Sequence, residues 1–378
     1  MEEKKVRKKY RSWKVILAVV LVLAIGSAVG IYAFVHTEYN YIEIVKNYET
    51  QSTNNGNYLA YLDGVLEYSK DGVAFLTEEG EEIWNQPGQI SNPIAKVCKD
   101  TAAVADKGGT SIYVFNKNGL KGEIQTTRPI ERVSVSAQGI VAAILQDEES
   151  PRVMCYDAKG NVLVEHKASL KNTGYPVDVA LSQDGEVLMV SYLCTKGSSV
   201  VTKATFYYFG EDAKDKKEHL VMQKEYTDTV APTAVFLNQK TSLLVTDHSL
   251  VFYEGLKKPE EVMSIKIDKE IESVSYNEKY VALILKNSGK TGYELRLYQT
   301  NGKEKMSVQL DGEYSNIKAV DGQILLNDGS KCAIYNTSGV CKFKGMLEMN
   351  VMDIYPVSGV NKYMVISANG FQEIQLAK

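Results

Sequence analysis

The sequence predicts an all-β fold, a β-propeller with eight blades favoured and seven as the alternative, preceded by one N-terminal transmembrane helix. Three observations carry this prediction. Val15 to Val35 contains no charged residue, glycine-bearing turns recur at the spacing of a four-stranded blade, and the chain ends on three strands while an unpartnered strand stands near its start.

The apolar stretch comes first in the chain. Its 21 residues, at about 1.5 Å per residue, match the hydrocarbon thickness of a bilayer. Seven basic residues (Lys4, Lys5, Arg7, Lys8, Lys9, Arg11, Lys14) precede it against Glu2 and Glu3, and His36, Thr37 and Glu38 follow it. This asymmetry places the tail in the cytoplasm and the large domain outside, at the plasma membrane. Trp13 and Tyr32 stand where interfacial aromatics belong, and Gly26 and Gly30 form a small-xxx-small pair. The competing reading is a signal peptide cut near Ala28–Gly30; continuation of the apolar run through Ile31, Phe34 and Val35 favours a retained anchor.

The organisation expected is a basic tail over 1–14, a transmembrane helix over 15–35, a juxtamembrane segment with a ring-closing strand over 36–56, and a propeller over 57–378. The net charge of −4 combines a basic tail with an acidic remainder. An acidic domain without a basic stripe argues against nucleic acid, whose phosphates require clustered Lys and Arg. Tyr is abundant, 24 against 9 Phe and 2 Trp, which favours half-exposed strands over helices.

Beyond Tyr41 the repeating unit is a β-rich run, a turn, a second run and a turn closed by glycine. The clearest turns are Thr77–Gly80, Asn116–Gly119, Asp157–Gly160, Gln299–Gly302 and Asn336–Gly339, with weaker equivalents near Gly210 and Gly255. Gly80, Gly119 and Gly160 are separated by 39 and 41 residues, close to the roughly 40–45 expected of a blade. Third strands such as 111–115 and 152–156 precede these turns, and inner pairs such as 133–135 with 140–145 precede those in turn. This gives seven complete units over about 58–344, followed by strands near 351–355, 363–367 and 371–376. The alternating segment Tyr41–Tyr48 supplies the missing fourth strand of an eighth blade, which closes the ring and removes an exposed sheet edge.

The segment Asp71–Trp84, a glycine turn followed by Trp, resembles the repeat of quinoprotein-type (PQQ-like, WD40-like) propellers, and Asp157–Leu163 is similar without the Trp. Because Trp84 stands in the first blade alone, the resemblance implies the fold rather than quinone chemistry. The complete layout, a basic tail, one span and a Tyr-rich propeller, resembles the DUF5711 family of membrane-anchored proteins of Gram-positive bacteria, a resemblance that brings no catalytic residues.

Catalytic signals are sparse. His36, His166, His219 and His248 are isolated, with no i, i+4 pair of a helical zinc site. Asp106–Gly109 is a hairpin turn without the helix that would make it a phosphate loop, and the acidic runs at Glu78–Glu82 and Asp147–Glu149 fall on turns. Five cysteines, Cys98, Cys155, Cys194, Cys332 and Cys341, form no evident framework, although Cys332 and Cys341 flank one hairpin and a bridge between them depends on its register. The expectation is therefore a non-enzymatic binding or scaffold module for a protein or a cell-wall component, without cofactor or metal. A propeller enzyme, a quinone-dependent dehydrogenase or a glycan hydrolase, is the alternative. On four-stranded blades the loops between blades and those between second and third strands share one face. The expected contacts there are Arg128, Tyr175, Tyr226 and Asp228 between blades, with Asp147 and Lys290 on the inner loops.

Overall fold

The computed structural model describes residues 2–48, 56–210, 219–287, 289, 292–320 and 322–378. One helix, α1 (Glu2–Val35), runs unbroken through the basic tail and the apolar stretch. Its Val15–Val35 portion is long and apolar enough to cross a membrane, and its apolar side chains are not buried in the rest of the chain.

Eight four-stranded antiparallel sheets follow. Blades 1 to 7 occupy 57–87, 93–125, 130–167, 175–227, 233–266, 270–310 and 316–346, each in simple up-and-down order. Blade 8 is composite: strands Val351–Pro356, Lys362–Ser367 and Gly370–Ala377 come from the end of the chain, and its outermost strand is Tyr41–Tyr48. Tyr41 pairs with Ala377 and Tyr48 with Phe371, so the two ends of the chain close the ring as expected. The closure also buries apolar surface, because Tyr58 and Val65 of blade 1 pack with Ile366 and Phe371 of blade 8.

The middle strands carry the core. Val141–Leu145 and Thr241–Val245 are buried at every position, since each sheet is covered on both sides by its neighbours. Trp84 lies flat on Phe115 of blade 2, ring centroids 5.1 Å apart, and faces the α-carbon of Gly119. That glycine's φ of 106° suits the turn, a backbone conformation that residues with a side chain rarely adopt. The turns at Gly80, Gly160, Gly302 and Gly339 are closed by a bond from the glycine N–H to the carbonyl three residues earlier. The weaker turn near Gly210 leads into 211–218, outside the described residues.

Two expectations change. Cys332 stands opposite Gly345 and Cys341 opposite Tyr335, because Cys341 lies just after the Asn336–Gly339 turn while Cys332 lies further along its strand; all five cysteines are free. Tyr226 belongs to the outer strand Leu220–Thr227 of blade 4 rather than to a loop.

Residues 36–40 join helix α1 to the ring, and the helix end itself is bonded to it. The carbonyl of Val35 accepts from Asn336 Nδ2 at 3.0 Å, and that of Phe34 accepts from Lys342 Nζ at 2.8 Å. Tyr39 N–H donates to Lys342 O, and its hydroxyl accepts from Asn361 Nδ2 at 2.7 Å. Carbonyls at a helix end that lack intrahelical donors are thus capped by side chains of blade 7. Asn336 opens a turn between third and fourth strands, and Asn361 one between first and second strands. The helix therefore meets the propeller on the face formed by those turns, the lower face.

Candidate functional site

The upper face, opposite the helix, carries the between-blade loops. Its most prominent feature is a hairpin of blade 4, in which strands Val187–Lys196 and Ser199–Tyr208 are each 10 residues long and stay paired to Lys196 and Ser199. Corresponding strands elsewhere hold 5 to 8 residues, so this hairpin rises above its neighbours. Tyr175 pairs with Leu193 at its base, and Asp228 N–H donates to Val200 O at 2.7 Å. Leu170, Val200 and Val230, on the hairpin and the two adjoining loops, are exposed to solvent. The β-branched triplet Val200-Val201-Thr202, just after the Gly197 turn, was the available sequence signal for this hairpin.

The sequence-predicted contacts separate into groups. Arg128, between blades 2 and 3, forms an ion pair with Asp147 of blade 3, whose Oδ1 also accepts from the backbone of Glu149 and Ser150. Tyr175 donates to the Glu131 carboxylate, and burial followed by that bond pushes its phenol up to about 12. Asp228 is exposed, at φ 51°. Tyr226 is committed elsewhere: its hydroxyl bonds the Tyr253 hydroxyl and donates to the Glu261 carboxylate across the blade 4–5 contact, and burial raises its pKa. Lys290 lies outside the described residues.

The central channel holds charged groups that the turn-based reading missed. A cavity of about 1010 Å³ opens between the inner strands of blades 1, 2, 6 and 7, with Lys96, Glu278, Lys279 and Lys318 on its wall. Lys318 pairs with Asp353 at 2.5 Å and lies 3.4 Å from the Tyr355 ring centroid, and burial lowers its pKa despite that carboxylate. Above it, a second cavity of about 310 Å³ is lined by Tyr68, Lys96, Lys107 and Arg132. The inner strands of blades 3, 4, 6 and 8 each carry a bulge, between Ile130 and Arg132, Pro176 and Asp178, Ile271 and Ser273, and Val351 and Asp353. A bulge re-aims the side chain that follows it, and simple alternation does not foresee that.

Two of the five cysteines, Cys155 and Cys332, are buried. Burial pushes the Cys155 and Cys332 thiols up to about 12, which keeps them protonated. Among the described residues no three His, Cys, Asp or Glu side chains gather as a metal-binding group.

The model of a family described as "Family of unknown function (DUF5711)" matches residues 35–376, the whole propeller. No curated protein matches the sequence. Among solved structures, BamB from Moraxella catarrhalis is similar at a TM-score of 0.55 and 11% identity, over 88% of this chain and 99% of that one. A eukaryotic initiation factor is similar at a TM-score of 0.51 and 10% identity, over 81% of this chain and 91% of that one. At such identities the likeness is one of fold.

Proposed function

The chain belongs to DUF5711, a family of unknown function, and from its geometry we propose that it is a membrane-anchored, extracytoplasmic binding module that presents the upper propeller face to a protein partner and does not turn it over. The observation that carries this reading is the helix junction. Lys342 and Asn336 fix the end of α1 to the lower face, so an anchor in the bilayer directs the opposite face away from it. That face bears the raised blade 4 hairpin, where exposed Leu170, Val200 and Val230 stand beside Tyr175 and Asp228. Apolar side chains among Tyr and charged groups have the makeup of a protein-docking surface. A cell-wall polymer is the other ligand class open to the same face.

Site-specific photo-crosslinking in intact cells tests this. A photoreactive residue at Val200 should give discrete protein adducts, and one at Lys117, on a lower-face turn, should not. Leu170→Asp with Val230→Asp should cut the Val200 adduct at least about tenfold, the scale of a lost apolar anchor. Equal labelling from both positions, or adducts indifferent to the double substitution, would contradict the proposal. Turnover of a glycan or of a quinone-linked alcohol by the purified protein, lost on replacing a channel acid such as Asp353, would make it an enzyme.

A further inference from the structure

The smaller channel cavity has one sign of charge on its wall. Lys96 comes from the inner strand of blade 2, Lys107 from the loop after that blade's second strand, and Arg132 from the inner strand of blade 3; Tyr68 of blade 1 adds a hydroxyl. No carboxylate lines it. Lys96 and Lys107 have no ion-pair partner among the described residues, and Arg132 donates to the backbone carbonyl of Glu131 at 3.1 Å, leaving the rest of its guanidinium fork open.

The nearby acids are held in other bonds. Asp106 Oδ1 accepts from Asn92 N–H at 2.8 Å, Glu131 accepts from Tyr175, and Asp178 Oδ2 accepts from Ala234 N–H at 2.8 Å. The loop carrying Lys107 is itself clamped. Gly108 N–H donates to Ile130 O and Ile130 N–H to Gly109 O, both at 2.8 Å, so Lys107 is set beside Arg132 by backbone bonds between blades.

Three cations around a volume of about 310 Å³, roughly ten times one water's share of liquid, leave room for an anion with several oxygens and part of its hydration shell. An Arg fork with two ammonium groups suits phosphoryl or carboxylate oxygens, and a confined channel strengthens the attraction relative to open solvent. We propose that the upper mouth of the channel binds a compact oxyanion carrying two or more charges. This site is independent of the anchoring and of the partner-docking reading.

Calorimetric titration of the full-length protein in neutral detergent, with inorganic pyrophosphate and separately with citrate at constant ionic strength, tests the proposal. At least one should bind at a single site, with affinity falling as salt is raised. Lys96→Gln and Lys107→Gln should each weaken it about tenfold or more, the usual cost of one charge-assisted contact, and Lys117→Gln on the lower face should leave it unchanged. Arg132→Lys keeps the charge but loses the fork and should bind with intermediate affinity. Absence of binding by both probes at 10 mM, a value on the order of the weakest useful ligand affinities, would overturn the proposal. So would binding equally strong in Lys96→Gln and Lys107→Gln proteins whose melting is unaltered.

Discussion

The residue with the largest single burden of charge is Glu294, nearly buried at the upper edge of blade 6 and bonded to Lys269, Arg296 and Ser307. Burial alone would raise its carboxyl; the bonds from Arg296 and Lys269 overcome that and bring it down to about 2. A depressed carboxylate contributes stability above its ordinary pKa of 4.5 and loses it as pH falls toward 2. Melting followed by circular dichroism should therefore show a steeper acid decline for the parent than for Glu294→Gln. At pH 7 the variant should be less stable by about 2–3 kcal/mol, because two partly buried cations lose their common partner. Arg128 and Tyr175 are less free than loop residues usually are. Arg128→Ala and Tyr175→Phe should each cost about 1 kcal/mol, larger than the roughly 0.5 kcal/mol of an ordinary surface change, which denaturant titration resolves. The sequence identified these residues as upper-face groups, but the acids that hold them, Glu131 and Asp147, became visible as partners only once neighbouring blades were side by side.

Among the elements, the strand Tyr41–Tyr48 is mostly exposed along its length, yet seven of its residues pair with Gly370–Ala377. Its value lies in the ladder and in covering an edge rather than in apolar burial. A chain beginning at Asn57 should lose several kcal/mol, from the lost ladder and the packing of Tyr48, and should associate through the bared edge. A melting temperature and a sedimentation profile equal to those of a chain beginning at Thr37 would show that the closure is dispensable. This element was legible because an alternating strand with no hairpin partner and a three-strand tail fit only together. The Cys332–Cys341 pairing was not, since the position of the turn sets the register, and the turn at Asn336–Gly339 puts Cys341 beside Tyr335 and Cys332 beside Gly345.

At the scale of the whole molecule, the ring is legible because turn glycines punctuate β-branched runs at blade length, and each glycine has a local reason to be there. The channel is less legible. Four bulges set the direction of Arg132, Asp178, Ser273 and Asp353, and the packing of blades 2 and 3 brings Lys96 and Lys107 to one cavity with Arg132. The junction of α1 with blade 7 likewise depends on Lys342 and Asn336, some 300 residues from the helix end they cap. That junction is what turns a propeller behind an apolar helix into an oriented one.

The orientation can be measured directly on full-length protein in lipid bilayers, with spin labels placed singly at Ser338, on the lower-face turn beside the helix end, and at Asp228 on the upper face. Power saturation against oxygen and a water-soluble nickel complex should place the Ser338 label at headgroup level and the Asp228 label in bulk water. Equal aqueous exposure at the two positions, or a membrane-proximal Asp228, would contradict the account.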